Sequence, residues 1–149
     1  MNLDIRQAVS ADSAWLYETY KQTMIGFVTR TTGWDEHAQR NGFAKSLRQG
    51  SCSIALRGGE RCGFVHWEVE PDLVWLRMLC IVPAMQRQAI GRQLLGDVLL
   101  LSEKLGRPLY LHVFRCNEVA YGWYRRMGFA EIETEASNDD IATLALGGQ

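Results

Sequence analysis

The amino-acid sequence predicts an α/β protein in which helices cover one mixed β-sheet, with a single domain over residues 1–149. Two observations predict this class. Segments with the apolar spacing of strands and segments with that of helices follow one another in the order βααβββαβαββ. The chain is also 47% hydrophobic and 22% charged, which is typical of a folded domain with a substantial core.

The first part of the chain predicts a strand followed by two helices. Apolar and polar side chains alternate in residues 3–8, as in a strand with one buried face. Ser10 is expected to cap the first helix, which has Asp12 in its first turn and ends near Met24. Residues 33–49 follow as a second helix with its apolar side chains roughly on one side.

A hairpin and a long apolar strand come next. Residues 51–56 and 62–69 are the two strands of the hairpin, because the turn at residues 57–60 contains two adjacent glycines. Residues 73–82 form an apolar strand with a single charge, Arg77. This composition suits a strand that is buried on both faces of a sheet.

The second half of the chain predicts two helix-containing units and a closing pair of strands. Residues 88–105 have apolar side chains at helical spacing, and Gly106 ends this helix. A strand at residues 109–114 leads into a fourth helix at residues 118–127. The last two strands are residues 130–135 and 141–146.

Charge and cysteine content exclude several classes of protein. The formal net charge is -1, so the chain lacks the basic field that attracts nucleic acid or an anionic membrane. The four cysteines have no CxxC spacing and no histidine at zinc-ligand spacing, so we expect free thiols and no metal. The first residues lack the features of a secretory signal, and no stretch has the length of a membrane span. A cytoplasmic protein is therefore expected.

The segment between the long strand and the third helix is a candidate anion-binding turn. Pro83 ends the strand because it cannot donate to a sheet ladder. The N–H groups at the start of the next helix have no internal partner and lie at the positive end of its dipole. Ala89 and Gly91 are small enough to let an anion approach, and Arg87 and Arg92 add positive charge.

Three phosphate-binding patterns compete for this turn, and a plain strand-to-helix connection is the alternative to all of them. A Walker P-loop is excluded because the chain contains no Gly-Lys-Ser or Gly-Lys-Thr. A dinucleotide turn is disfavoured because only Gly91 could serve as one of its glycines. The third pattern is [Q/R]-x-x-G-x-[G/A] after a strand and a proline. Its positions are occupied by Gln86, Arg87, Gln88, Ala89, Ile90 and Gly91.

A second motif lies in residues 117–129. The pattern N-x-x-A-x-x-x-Y-x-x-x-G-F is filled at every position, by Asn117, Ala120, Tyr124, Gly128 and Phe129. Asn117 suits a helix cap, and Gly128 suits the left-handed residue beyond the helix end. Ala120 and Tyr124 share one helix face. Tyr124 alone could equally be a packing residue, and it is the order of the two motifs that favours a functional role.

Together the two motifs resemble those of the GNAT acetyltransferase superfamily, over about residues 65–129. Ala89 departs from the family pattern, which usually has glycine there. At negative φ the extra methyl would cost little, whereas at positive φ the cofactor would sit differently or bind more weakly. The resemblance implies a mostly antiparallel sheet with two central parallel strands, residues 73–82 and 109–114, that splay apart to hold acetyl-CoA.

The resemblance also implies roles for individual residues. Acetyl-CoA would be bound by residues of the strand end, the turn and the fourth helix: Leu79, Cys80, Ile81, Val82, Gln86, Arg87, Gln88, Ala89, Ile90, Gly91, Arg92, Asn117, Ala120 and Tyr124. A backbone N–H near Cys80 or Ile81 would stabilise the developing oxyanion. The Cys80 side chain is not expected to be a nucleophile, because no activating group is evident beside it. Tyr124, with a reference pKa near ~10, would protonate the departing thiolate.

The acceptor would be an amine of a small molecule or a peptide, attacking in a ternary complex. Glu68 is the predicted base, directly or through water, with His66, Glu70 and His112 as the other candidates. For each of the four, a solvated or structural role is the alternative. Large apolar residues between the first two helices predict an acceptor pocket or a homodimer surface, with ordinary core packing as the alternative for several of them. They are Tyr20, Met24, Phe27, Trp34 and Phe43.

Two rival functions remain open at this point. A non-catalytic acyl-CoA sensor or interaction domain on the same scaffold would bind CoA without transferring an acyl group. A dinucleotide-binding module would prefer NAD. The identity of the acceptor, the acyl length and the oligomeric state do not follow from the sequence.

Overall fold

The computed structural model describes residues 3–87 and 89–147. Within them, helices and strands follow one another in the predicted order βααβββαβαββ. The elements are β1 (Asp4–Gln7), α1 (Ser13–Thr31), α2 (Glu36–Leu47), β2 (Ser51–Arg57), β3 (Glu60–Val69), β4 (Val74–Ile81), α3 (Ile90–Leu105), β5 (Leu109–Phe114), α4 (Glu118–Arg126), β6 (Ala130–Ile132) and β7 (Ile141–Leu146).

All seven strands belong to one sheet, in the order β1-β2-β3-β4-β5-β7-β6. Every neighbouring pair is antiparallel except β4 and β5, which are parallel. Their pairing begins at Val74 opposite Leu109 and ends at Leu76 opposite Leu111. The remainder of the two strands diverges. The predicted mostly antiparallel sheet with a splayed central parallel pair is therefore confirmed.

A β-bulge lies at the residue where β4 leaves β5. Trp67 of β3 faces Leu76, and the preceding residue, His66, faces Met78, so Arg77 is an extra residue in β4. A bulge increases local twist and changes which face the following side chains take. Leu76 accordingly packs in the core beneath α3 and α4, whereas Met78 packs in the core beneath α1 and α2.

Two apolar cores lie on the two faces of the sheet. The larger contains buried side chains of α3 and α4 together with strand residues such as Val74 and Leu111. The smaller contains Leu16, Tyr17 and Phe43 of α1 and α2 against Phe64. Helices thus cover both faces, and the splayed ends of β4 and β5 lie between them.

The helix bounds differ from the prediction in α1 and α2. α1 continues to Thr31, beyond the predicted end near Met24, because Val28 is buried at 4% exposure and packing favours further turns. Ser10 lies in a short 3-10 turn (Ser10–Asp12) and does not cap α1. At the start of α2, the Asp35 side chain is the cap, since it accepts a hydrogen bond from the N–H of Ala38.

The remaining elements are close to the prediction. Gly58 and Gly59 both have positive φ in the hairpin turn, and Gly106 has positive φ at the end of α3. β6 is shorter than predicted and ends at Ile132, because the chain then turns at Thr134, whose N–H donates to the Ser137 hydroxyl. The start of the predicted third helix, Gln88, lies outside the described residues.

Candidate functional site

A cleft of about 510 Å³ opens between the diverging ends of β4 and β5. Its walls come from these two strands, from α1 and α2 on one side and from α4 on the other. The sequence-predicted residues Leu79, Cys80, Asn117, Ala120 and Tyr124 all line it. The structure therefore brings the end of β4 and the second motif to one cavity, whereas none of the described residues of the first motif is among its lining residues.

The backbone of β4 offers free polar groups to this cleft. The N–H of Val82 donates to the carbonyl of Cys62 on β3 at 2.9 Å. Backbone groups alternate in direction along an antiparallel strand, so Cys80 also bonds β3, whereas Leu79 and Ile81 point away from it. The Gln86 side chain donates to the Ile81 carbonyl at 3.1 Å, on the side away from β3. The N–H groups of Leu79, which lines the cleft, and of Ile81 are thus not used by β3, while the main chain of Cys80 is used within the sheet.

The predicted anion-binding turn follows β4 and has unusual backbone conformations. Arg87 and Ala89 have φ of 67° and 64°, in the left-handed region that favours glycine. Of the two alternatives for Ala89, positive φ is the one observed. Ala89 is the N-cap of α3, and no side chain accepts from the first N–H groups of that helix within the described residues. These N–H groups are available to an anion.

The other predicted turn residues differ in which of their groups an anion could reach. Arg92 and Arg87 are exposed, whereas the Ile90 side chain is buried in the core and can contribute only its backbone. A Cβ added at Gly91 would lie 3.7 Å from the nearest side-chain atom, which is ordinary contact, so packing does not require glycine there. Gln88 lies outside the described residues.

Asn117 starts α4 in the way that the sequence predicts. Its Oδ1 atom accepts a hydrogen bond from the N–H of Ala120 at 3.2 Å. At the other end of the helix, Gly128 has φ of 107°, and Phe129 is buried at 2% exposure. The cap and the return to the core fix α4, and therefore Tyr124, against the cleft.

Tyr124 is buried at 8% exposure, and its ring packs against Phe129 and Trp123. Its hydroxyl makes no hydrogen bond to any other described residue, although the residue lines the cleft. Burial is the main cause that raises the pKa of Tyr124 well above its ordinary value, and the neighbouring Cys80 raises it further. The phenol is therefore protonated at neutral pH and is available as a donor.

Cys80 also lines this cleft. It is buried at 3% exposure, and burial raises the pKa of the thiol to about 11. A protonated thiol is a weak nucleophile, which agrees with the prediction that Cys80 takes no covalent role. All four cysteines are free.

Glu68, the predicted base, is held by an ion pair. Its Oε1 atom accepts a hydrogen bond from Nε of Arg77, the bulge residue, at 2.9 Å. Arg77 also lies over the Trp75 ring and 3.9 Å from a Glu70 oxygen. Arg77 lines the cleft, but Glu68 is not among its lining residues. A direct role for Glu68 would require its carboxylate to leave Arg77, so that role stays a prediction.

His112 reaches the cleft with one ring nitrogen free. It lies on the exposed side of β5, stacks against Trp75 at 4.7 Å and contacts the Thr143 hydroxyl through Nδ1 at 3.0 Å. No described residue bonds its Nε2 atom. Partial burial of the ring and the charge of Arg77 lower the pKa of His112, which favours the neutral imidazole. The register of β5 against β7 creates this environment, which the sequence does not reveal.

The fourth candidate, His66, is a structural residue. It is buried at 0% exposure and makes a hydrogen bond through Nε2 to the Gln49 carbonyl. Its Nδ1 atom is buried without a partner among the described residues. Neither His66 nor Glu70 lines the cleft.

An apolar wall of Tyr20, Met24 and Phe43 closes the cleft on the α1–α2 side. The rings of Tyr20 and Phe43 are 4.9 Å apart, and the Tyr20 hydroxyl donates to Gln39 of α2 at 2.7 Å. Glu36 at the start of α2 bonds Lys21 and Tyr17 of α1, and hydrogen bonds from Lys21, Trp34 and Tyr17 lower the pKa of its carboxyl to about 2. This wall is therefore a fixed surface of the cleft.

Comparison with known protein families agrees with this geometry. The model of the acetyltransferase (GNAT) domain matches residues 48–131, which contain β2 to β5 and both sequence motifs. The chain belongs to the GNAT acetyltransferase family. This GNAT chain is also 35% identical over 80 residues to N-alpha-acetyltransferase 50 of Danio rerio, a match that covers 52% of this chain and 47% of the relative. The chain thus spans about half the length of that curated relative.

Solved structures share the fold over nearly the whole GNAT chain. The PaiA N-acetyltransferase of Thermoplasma acidophilum, solved in complex with coenzyme A, has a TM-score of 0.78 at 18% identity, covering 99% of both chains. The ribosomal-protein-S18-alanine N-acetyltransferase of Escherichia coli has a TM-score of 0.76 at 22% identity, covering 98% of this chain and 94% of that one. None of the helices in the described residues has the length and apolarity needed to cross a membrane.

Proposed function

We propose that this chain transfers an acetyl group from acetyl-CoA to an amine, by direct attack in a ternary complex. The observation that carries the proposal is the cleft between β4 and β5, where the protonated Tyr124 phenol and a neutral His112 line one cavity. Membership of the GNAT acetyltransferase family supports it. The coenzyme A complex of the Thermoplasma acidophilum protein, which shares the fold, adds support for the ligand.

The residues present fit the cofactor. The first N–H groups of α3 suit its phosphates, with Arg87 and Arg92 adding charge. The N–H groups of Leu79 and Ile81 and the Leu79 carbonyl suit the amide-containing arm, in the gap that β5 leaves. Acetyl-CoA supplies the thioester carbonyl that the amine attacks, and CoA leaves as the thiol.

Three groups of this chain would serve the reaction. The N–H of Leu79 or Ile81 stabilises the negative charge that develops on the thioester oxygen. Nε2 of His112 accepts the proton that the acceptor ammonium must lose before attack. The Tyr124 hydroxyl donates its proton to the departing sulfur, and the second proton that the nitrogen loses as the amide forms restores the Tyr124 phenol. The net product is one proton, which His112 releases to solvent. In this proposal Glu68 holds Arg77, and Glu68 as the base is the alternative.

Among amines, we propose the α-amino group of a peptide. An α-amino group has a reference pKa near ~8, against ~10.4 for a lysine side chain, so a neutral imidazole can deprotonate it more readily. The wall of Tyr20, Met24 and Phe43 suits an apolar side chain next to that amine. The relative from Danio rerio is named an N-alpha-acetyltransferase, which supports the same class.

Binding and turnover experiments together test the proposal. Calorimetric titration with CoA, acetyl-CoA and NAD should show binding of the first two and none of NAD. Thiol release from acetyl-CoA should then depend on an added peptide with a free N-terminus. The same peptide with a blocked N-terminus and its lysines intact is the matched control. Binding of CoA without turnover on peptides, polyamines or aminoglycosides would favour the sensor, and preference for NAD would overturn the proposal.

A further inference from the structure

The ring of His112 on β5 contacts a small group of hydroxyls that begins with Thr143 on the neighbouring strand β7. His112 faces Thr143 directly in the antiparallel register of β5 and β7, so their side chains lie on one face of the sheet. The Nδ1 atom of His112 is 3.0 Å from the Thr143 hydroxyl oxygen. Thr143 is buried at 0% exposure, which makes a defined hydrogen-bond pattern around its hydroxyl necessary.

Thr143 is one corner of a hydroxyl triangle formed by Thr134, Ser137 and Thr143. The Thr143 oxygen is 3.0 Å from that of Thr134 and 3.3 Å from that of Ser137. The oxygens of Thr134 and Ser137 are 3.3 Å apart. The N–H of Thr134 also donates to the Ser137 oxygen at 3.1 Å. All three side chains therefore contact one another next to His112.

One arrangement of the protons keeps all three hydroxyl hydrogens within the triangle, and the Ile132 carbonyl, 3.5 Å from the Ser137 oxygen, is the other acceptor that Ser137 reaches. A hydroxyl has one hydrogen to donate and accepts up to two hydrogen bonds. If Thr134 donates to Ser137, Ser137 to Thr143 and Thr143 to Thr134, all three hydroxyl hydrogens are used within the triangle. The Thr143 oxygen then has room for one more donor and no hydrogen to offer. In this arrangement His112 bonds the Thr143 oxygen by donating from Nδ1.

We propose that the hydroxyl triangle holds neutral His112 in the tautomer with its proton on Nδ1, leaving the lone pair of Nε2 facing the cleft. Thr143 is then a positioning residue, since the tautomer of an imidazole is set by the hydrogen bond of its other nitrogen. The consequence for catalysis rests on the function proposed above. The tautomer itself is a property of the free protein and is independent of the proposed function.

The surroundings of His112 contain few competing charges. Arg77 is the one residue with a formal charge among the described residues that line the cleft. It lies on β4 and is paired with Glu68. The other titratable lining residues, Tyr20 of α1, Cys80 of β4 and Tyr124 of α4, have raised pKa values and stay neutral near pH 7. A change in ionisation within the cleft below the ordinary histidine pKa of about 6.5 therefore belongs to His112.

Nitrogen-15 NMR of the histidine ring tests the tautomer in the protein without any substrate. His112→Gln assigns the signal. We expect Nδ1 to be protonated and Nε2 unprotonated above pH 7. Thr143→Val, of similar shape but without the hydroxyl, should shift the equilibrium towards protonated Nε2, and Thr143→Ser should restore the parent signal. A protonated Nε2 in the parent protein, or an unchanged ratio in Thr143→Val, would overturn the proposal.

Kinetics separate this role from a structural one. In Thr143→Val we expect kcat/KM on the pH plateau to fall about three- to tenfold, the size of one net hydrogen bond. The acid limb should move to lower pH, because the imidazolium also loses its acceptor, while acetyl-CoA affinity stays unchanged. A uniform loss at every pH would contradict the proposal. If the expected NMR result is found and no amine is acetylated, the proposed function fails and the tautomer assignment stands.

Discussion

Leu76 and Leu111 are the last residues that pair β4 with β5, and the candidate cleft opens directly beyond them. The bulge at Arg77 follows Leu76 immediately and changes the face on which the next side chains lie. One break in pairing therefore has two effects. It leaves the N–H groups of Leu79 and Ile81 without a strand partner, and it admits side chains from α4 and from the α1–α2 side to a single cavity.

Tyr124→Phe should lower kcat about 100-fold and leave the affinity for CoA unchanged. The substitution removes the donor to the departing sulfur, and general acid catalysis contributes about 10²- to 10⁴-fold. The ring keeps its contacts with Phe129 and Trp123, so the fold should be preserved. Tyr121→Phe is the matched control, because its hydroxyl donates to Glu131 outside the cleft. Turnover equal to the parent's would remove Tyr124 from the mechanism.

His112→Gln and Glu68→Gln distinguish the two candidate bases through the pH dependence of kcat/KM. If His112 is the base, its replacement removes the acid limb that lies below its ordinary pKa of about 6.5. Glu68→Gln should keep the limb and change activity only through the position of Arg77, which it holds at 2.9 Å. The reverse pattern, with the limb lost in Glu68→Gln alone, would identify Glu68 as the base.

Features with a local chemical cause are predictable from this sequence. Asn117 starts α4, Gly106 ends α3 and the two glycines at residues 58–59 turn the hairpin, each through its own side chain or backbone freedom. The bulge at Arg77 depends on the register between β3 and β4, which no single segment specifies. The contact between His112 and Thr143 likewise joins residues 31 positions apart, so the sequence presents His112 only as one of several candidates.

Ala89→Gly should stabilise the protein by about 0.5–1 kcal/mol. A left-handed conformation costs a residue with a Cβ about 1–2 kcal/mol, and glycine removes that cost. The greater freedom of glycine in the unfolded chain opposes this stabilisation by about 0.4–1 kcal/mol. Ala84→Gly, two residues before Gln86 and without positive φ, is the control and should destabilise. Urea unfolding measures both. Lower stability in Ala89→Gly would contradict the strained conformation, and CoA titration would show whether the turn then binds more tightly.

Asp12→Asn should destabilise the protein by about 1–3 kcal/mol, the cost of removing a partner from buried hydrogen bonds. Asp12 is 2% exposed and bonds Arg6 at 2.8 Å, Arg61 at 3.1 Å and the N–H of Val9. These partners lower the pKa of its carboxyl, chiefly through Arg6. Its contribution is therefore complete above about pH 4 and is lost as the pH falls through the folded pKa. Asp4→Asn, on the exposed part of β1, should change urea unfolding little.

The buried ring of His66 should make the protein less stable as the pH falls below about 6.5. Burial lowers the pKa of His66, so the unfolded chain takes up a proton that the folded protein excludes. The sign follows: stability is unaffected above the unfolded pKa and declines from there towards the lower, folded value. His66→Gln should flatten the decline in unfolding free energy between about pH 7.5 and 5.5, whereas His37→Gln, exposed on α2, should leave it unchanged. Equal slopes in His66→Gln and the parent would show that His66 is protonated without cost, against its 0% exposure.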